Sequence, residues 1–334
     1  MPVSSIGIIA NPASGKDIRR LVSYATVIDN NEKVNIVKRI VLGSQALGID
    51  EIIFMPDYYQ IGYKVINELD SKGVLKAKCT ILDIPINACS QDSTIAAQYM
   101  ENLNVGCIIV LGGDGTSRAV AKGIVNTPVL PVSTGTNNVY PSMIEGTVAG
   151  MAAAATSLLD EKEETCIKDK CIELYVNNEK KDIALIDVVI SSDIVLGSRA
   201  IWDTKRIKSV MVTRCHPASI GFSTIAGSVE IVTPTDNYGY SVEVNKKGDS
   251  YLVPLAAGVL QEVKVSNNKR CFLDQDYNFY IEENCILALD GEREIRLKKG
   301  DFLTLKISKS GPYRVITNKV LEIAQKRGMF KLFS

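Results

Sequence analysis

The stretch CIIVLGGDGTSRAVAKGI, residues 107–124, decides the fold. Cys107 to Leu111 is an apolar run of strand type, Gly112-Gly113-Asp114-Gly115-Thr116 follows it, and a helical pattern begins at once. Glycines between a strand end and a helix start let the backbone approach a ligand closely, and the free N–H groups of the first helical turn favour phosphate oxygens. A carboxylate among such amides would repel a phosphate unless it holds a metal ion or accepts a proton from an attacking hydroxyl. An isolated Asp-Gly reads as a helix cap and a tight turn. In this five-residue string, a functional role for Asp114 is the better reading.

The same punctuation recurs on both sides. Strand-like runs at Ile6–Ala10, Glu51–Met55, Ala77–Ile84, Val105–Leu111 and Pro128–Val132 alternate with helical patterns at Ile18–Ile28, Tyr58–Ser71, Asp92–Leu103 and Thr116–Val125. This is the sequence form of β-α-β units, and it predicts a Rossmann-like α/β domain with a parallel sheet. After the first strand comes Asn11-Pro12-Ala13-Ser14-Gly15-Lys16, and after the fifth comes Ser133-Thr134-Gly135-Thr136-Asn137-Asn138. Neither has P-loop spacing, and the first could equally be an Asn-Pro turn with a serine cap. All three turns leave the carboxyl ends of strands, the edge where open α/β sheets bind ligands. Asn11, Ser14, Gly15, Lys16, Gly112, Gly113, Gly115, Thr116, Thr134, Gly135, Thr136, Asn137 and Asn138 are therefore the candidate nucleotide-phosphate residues.

An alanine-rich helical stretch, Ile144–Leu159, ends in the charged run at 160–164, and the texture then changes. Cys171–Val176, Ile183–Ser191, Ser209–Cys215, Ser228–Thr233, Ser241–Val244 and Cys285–Leu289 read as short strands between Asn, Gly and Asp turns, which predicts an all-β sandwich. Pro217–Ala226 reads as a turn leading into a short helix, and Arg314–Arg327 as a helix returning to the first domain. The expected units are an α/β domain over 1–145, joined by the helix at 314–330, and a β-rich domain over 165–312.

Composition removes other classes. The 334 residues carry 38 basic and 38 acidic side chains, so there is no global field to gather nucleic acid or an anionic membrane. No apolar run is long enough to span a bilayer, and the start lacks the pattern of a secretory signal, so a cytoplasmic protein without integral membrane contact is expected. Eight scattered cysteines without a C-x-x-C pair read as buried free thiols, and the single His216 leaves no material for a zinc-peptidase or esterase motif. The basic residues between Arg199 and Arg214 could neutralise a polyphosphate, although such clusters are more often a solvated face.

These residues resemble the superfamily of NAD kinases and diacylglycerol/sphingosine lipid kinases. Its GGDGT string is similar to Gly112–Thr116, and its Asn-Pro-x-Ser-Gly-Lys opening to Asn11–Lys16. ALIDVVIS at 184–191 is similar to the Ala-Leu-Asn-Glu-Val-Val-Ile strand of NAD kinases, with Ile186-Asp187 in place of Asn-Glu. LALDGEREIRLKKGDFLTLKIS at 287–308 resembles the hairpin near the end of both branches, and GTNNVYP at 135–141 departs from the lipid-kinase Gly-Thr-Gly-Asn-Asp-Phe-Ala. The resemblance implies an ATP-dependent, Mg²⁺-assisted kinase that uses small-molecule nucleotide substrates and forms a homodimer. It implies Asp114 as the catalytic carboxylate, Glu292 as a second catalytic group and Asp187 on the acceptor. The leading acceptor is a hydroxyl of NAD(H) or a related nucleotide; a lipid alcohol, or a nucleotide-binding regulator without turnover, stays open.

Overall fold

The structure, a computed structural model, describes residues 4–14, 24–26, 28–159, 161–192, 204–291 and 293–331, with the backbone alone at 293 and 294. The first part alternates β1 (Ser5–Ala10), α1 (Asn30–Ala46), β2 (Glu51–Phe54), α2 (Ile61–Ser71), β3 (Lys78–Ile81), α3 (Ser90–Asn102), β4 (Ile108–Gly112), α4 (Asp114–Ala121), β5 (Val129–Ser133) and α5 (Gly146–Leu159). The short α6 (Lys162–Thr165) and β6 (Cys166–Lys168) lead out of it. An antiparallel part follows: β7 (Cys171–Val176), β8 (Glu179–Ala184), β9 (Asp187–Ser191), β10 (Ile207–Val212), α7 (Ser223–Gly227), β11 (Tyr238–Ala256), β12 (Val259–Phe272), β13 (Asp276–Tyr280), β14 (Cys285–Leu289), β15 (Arg293–Leu297) and β16 (Phe302–Ser308). The chain then returns through β17 (Tyr313–Val315) to α8 (Thr317–Lys326).

The first sheet has the order β3-β2-β1-β4-β5-β17-β6, with β1 to β5 all parallel. Its central strands are buried on both faces, as their near-continuous Ile, Val and Leu content requires. The second part stacks a six-stranded sheet, β12-β11-β10-β9-β14-β15, on a four-stranded one, β13-β16-β7-β8. Leu174, Leu303 and Leu305 from one sheet and Val188, Met211 and Leu287 from the other share a core, which is the expected sandwich. The outer face of the larger sheet is covered by Phe222, Ile225 and Ala226 around α7. The α/β plus all-β architecture is thus the one read from the sequence.

Several elements differ from that reading. Helix α1 lies where the sequence pattern indicates no helix. Of residues 18–28, where a helix was expected, only 24–26 and 28 are described, and these are not helical. Helix α1 starts at Asp29, whose carboxylate accepts from the Glu32 N–H, and it buries Val34, Val37, Ile40 and Val41 at helical spacing. The expected strand Ile183–Ser191 is broken at Leu185-Ile186, because the N–H groups there go to the Asp290 carboxylate and not to a neighbouring strand. Ser228–Thr233 forms only a single bridge, Cys215 to Val232, since Val229 and Glu230 bond back to Ala226 in the turn after α7. The helix expected from Arg314 begins at Thr317, because β17 first pairs with β5 and β6. No helix among the described residues is long and apolar enough to cross a membrane.

Small residues set the distance between α1 and α5. A Cβ on Gly150 would lie 2.2 Å from the Ile40 carbonyl oxygen, one on Gly146 2.7 Å from that of Ile36, and one on Gly43 2.4 Å from that of Thr147. The two backbones therefore touch, and α1 is fixed in position along the sheet. Gly150→Ala is expected to cost ~1–3 kcal/mol through overpacking, read as a lower urea midpoint. Val148→Ala, on the exposed side of the same helix, is expected to leave the midpoint nearly unchanged.

Candidate active site

Strands β1, β4 and β5 stand side by side, so the turns that follow them meet at one edge of the sheet. In the first turn, Ala13 N–H donates to Asn11 Oδ1 at 2.8 Å, while the Ser14 N–H and hydroxyl donate to the Asn11 carbonyl at 3.2 and 2.8 Å. Beneath it lies a residue the sequence reading missed. Lys33, on the first turn of α1 and 1% exposed, directs its ammonium at the carbonyls of Asn11 (3.0 Å), Pro12 (3.4 Å) and Ser14 (2.7 Å) and at Asn30 Oδ1 (3.1 Å). A buried ammonium is tolerated only when its donors are satisfied, and here the turn's own carbonyls do it. Gly15 and Lys16 lie outside the described residues.

The first turn is tied to the other two. Asn11 Nδ2 donates to Thr116 Oγ1 at 3.0 Å, and the Thr134 hydroxyl donates to Ser14 Oγ at 3.1 Å. Thr134 N–H in turn donates to the Gly112 carbonyl at 3.2 Å. Gly112 must be glycine here, since a Cβ would stand 2.6 Å from the Thr116 side chain. Gly113 precedes α4 in extended conformation, and a Cβ there would press on Asn138 Oδ1 at 3.0 Å. Gly115 is buried in the first turn of α4.

Asp114 opens α4 and is half-exposed. Its carboxylate reaches the third turn, accepting from Val139 N–H at 3.0 and 3.1 Å and from Tyr140 N–H at 2.7 Å. Within that turn, Ser133 Oγ bonds the Gly135 carbonyl at 2.7 Å, and Asn138 Nδ2 donates to Ser133 Oγ at 2.8 Å. Thr136 Oγ1 accepts from Thr26 N–H at 3.2 Å. Asn137 Oδ1 accepts from Ala257 N–H at 3.3 Å, which carries the contact across to the turn between β11 and β12.

The peptides held by Asp114 are also held from behind. Arg214 donates to the Val139 carbonyl at 3.2 Å, and its guanidinium lies over the Tyr140 ring. The Tyr140 hydroxyl donates to Asp169 Oδ2 at 2.8 Å, and Arg314 grips the same carboxylate with two bonds of 2.7 and 3.1 Å. Burial, and then the Asp169 charge, push the Tyr140 phenol well above its ordinary range. Arg214 therefore belongs to a buried network, and Lys208 of the same basic cluster pairs with Glu283 at the surface. His216 Nδ1 accepts from the Ala218 N–H in a local turn.

Of the second-part residues, Asp187 is 4% exposed at the start of β9. It lies beside Asp290, whose oxygens accept from the N–H groups of Leu185 (2.9 Å), Ile186 (2.7 Å) and Asp187 (3.2 Å). Burial raises the Asp290 pKa against the opposing pull of Arg118 and these amides. Ile186 is sealed in an apolar cluster with Tyr140, Cys171 and Leu185, packed by Ala121 and Val139, where the two parts meet. Glu292 lies outside the described residues. Lys33, Tyr140, Asp169 and Arg314 carried little signal in sequence: a lysine in a helical pattern reads as solvated, and the others sit far apart in the chain.

Residues 6–163 match the family model of the ATP-NAD kinase N-terminal domain, and residues 170–310 that of the acetoin catabolism protein X C-terminal domain. The acetoin catabolism protein X of Cupriavidus necator is 33% identical over 315 residues, 90% of this chain and 87% of that protein. The chain belongs to the acetoin catabolism protein X family. This family shares the kinase-like fold more widely: the NAD kinase of Picrophilus torridus is 24% identical over 219 residues, 64% of this chain and 74% of that protein. A solved putative diacylglycerol kinase from Bacillus anthracis str. Sterne has 12% identity and a TM-score of 0.50, covering 94% of this chain and 97% of its own.

Two outcomes follow from the packing. Asp169→Asn strands Arg314 without its carboxylate and is expected to cost ~3–5 kcal/mol in urea unfolding. Lys33→Met leaves buried carbonyls without a donor. A loss of ~1–3 kcal/mol is expected, with faster amide exchange at 11–14 and unchanged exchange in α2, followed by mass spectrometry.

Proposed function

We propose that the chain is an ATP-dependent phosphotransferase that moves a phosphoryl group onto a hydroxyl of NAD(H) or a related nucleotide. The observation that carries this reading is the joining of three glycine- and Asn/Ser/Thr-bearing turns at the carboxyl edge of β1, β4 and β5. In the proposed division of labour, 1–145 with the helix at 314–330 binds the donor and 165–312 contributes the acceptor side, the acceptor lying in the cleft between them.

Phosphoryl transfer asks the protein mainly for positioning and charge neutralisation. Asn11, Ser14, Gly112, Gly113, Gly115, Thr116 and the 134–138 turn would hold the donor's phosphates, and Asp114 would orient the acceptor hydroxyl and take its proton. Gly15 and Lys16 would add to the phosphate-binding set, Glu292 would assist from the second part, and Asp187 would contact the acceptor. Among the described residues no three His, Cys, Asp or Glu side chains gather into a metal cage. Mg²⁺ binds through one or two carboxylates, waters and the substrate's own phosphates, and Asp114 is the carboxylate at the turn that would hold it. When bound, the ion would neutralise charge on the transferred group.

A second reading, a nucleotide-binding regulator without turnover, is favoured by Ile186. Where the NAD kinase strand has an amide side chain, this chain has an isoleucine that is 1% exposed and faces apolar neighbours. Transfer from γ-labelled ATP and Mg²⁺ to NAD, NADH, coenzyme A and diacylglycerol separates the two. A labelled nucleotide, with a rate ~10²–10⁴-fold lower in Asp114→Asn, is the expected result. ATP binding without any labelled acceptor would leave only the regulator.

A further inference from the structure

Helix α4 carries a buried guanidinium whose hydrogen-bond donors the described residues around it leave unused. Arg118 is 6% exposed, yet its guanidinium makes no hydrogen bond among the described residues, and Nη1 is enclosed without a partner. The nearest carboxylate oxygen, Asp290 Oδ2, stands 3.9 Å from Nε, beyond hydrogen-bond reach. Asp290 has already turned its oxygens to the amides of residues 185–187. The contrast within the same protein is plain, since Arg314 meets Asp169 with two short bonds. A guanidinium has five donors in a fixed fork, and burying them unused is costly enough that a native fold keeps such a group where something else fills it.

The position of Arg118 says what that is. It lies four residues after Asp114, one turn further along the same face of α4. Three residues beyond it, Ala121 packs with Val139, Tyr140, Leu185 and Ile186 at the junction of the two parts. Arg118 is thus set back from the start of the helix, where the donor's phosphates belong, and toward the second part. We propose that Arg118 is a specificity-determining residue that binds an anionic group, phosphate or carboxylate, on the acceptor whose hydroxyl is presented to Asp114. The acceptor is then a negatively charged alcohol, and a neutral one is disfavoured. The inference rests on the phosphotransferase reading for the identity of its ligand as an acceptor.

The test is calorimetric binding in the presence of saturating non-hydrolysable ATP analogue and Mg²⁺. The probes are matched pairs differing in one anionic group: adenosine 5′-monophosphate against adenosine, glycerol 3-phosphate against glycerol, and glycerate against glycerol. The pairs separate a nucleotide phosphate, a simple phosphate ester and a carboxylate as its source. Wild-type protein is expected to bind the anionic member of at least one pair about tenfold tighter or more. Arg118→Met should abolish that preference, and Arg118→Lys, a point charge without the fork, should restore part of it. Affinity for the ATP analogue alone should stay unchanged in both variants, which a general disruption of the fold would not allow. The proposal is overturned if wild type prefers no anionic member, or if the preference survives in Arg118→Met. Should Arg118→Met fail to fold, an undiminished preference in Arg118→Lys overturns it in the same way. Loss of ATP-analogue binding in wild type itself would instead bring down the phosphotransferase reading, while the anion preference would still be measured with the analogue omitted.

Discussion

The peptides of Val139 and Tyr140 are clamped from two sides: their N–H groups converge on Asp114, and the carbonyl of Val139 is taken by Arg214. Everything else at the sheet edge is arranged around that clamp. A carboxylate at the start of a helix and an arginine from the antiparallel part compete for no atom, and each satisfies groups the other cannot. Because Arg214 also stands within 4.0 Å of Asp169, and Asp169 holds both Tyr140 and Arg314, the clamp continues into the two segments that connect the parts. Charge is balanced along this line by alternation, acid next to base, which is what lets it be buried at all.

The parallel half was legible because its punctuation is local. Gly-Gly-Asp-Gly-Thr after an apolar run and Asn-Pro after another mark strand ends by backbone chemistry that needs no tertiary partner, and the strands were recovered to within a few residues. Helix α1 was not legible because its apolar face is diluted by Lys33, Asn35, Gly43 and Ser44. Those same residues serve distant partners, Lys33 the first turn and Gly43 the backbone of α5. The break at Leu185-Ile186 has no local signal for the same reason, since the acceptor that ends the strand, Asp290, is more than a hundred residues away.

In the site, the turns could be read and their supports could not. Glycine, asparagine and serine in a turn announce close approach and hydrogen bonding, whereas Lys33 and Arg118 look like ordinary surface charges of helices. Only the fold shows that Lys33 is surrounded by oxygen acceptors and that Arg118, 3.9 Å from the Asp290 carboxylate, makes no hydrogen bond among the described residues. Ile186 was visible in sequence, but its place was not: it packs with Tyr140, Cys171 and Leu185 in the seam between the two parts.

Strands β6 and β17 lie side by side and antiparallel, Tyr313 opposite Lys168 and Val315 opposite Cys166, with the Asp169 N–H bonded to the Pro312 carbonyl. The chain therefore leaves the α/β layer and re-enters it at one place. Topologically the sandwich is a cassette on a two-stranded stem, and the layer beneath would keep its ladder of hydrogen bonds if that cassette were exchanged for another of different shape. An exchange of that kind would keep β1 to β5 and the Asp114 half of the clamp, while the incoming cassette would have to bring its own replacement for Arg214 on the Val139 carbonyl.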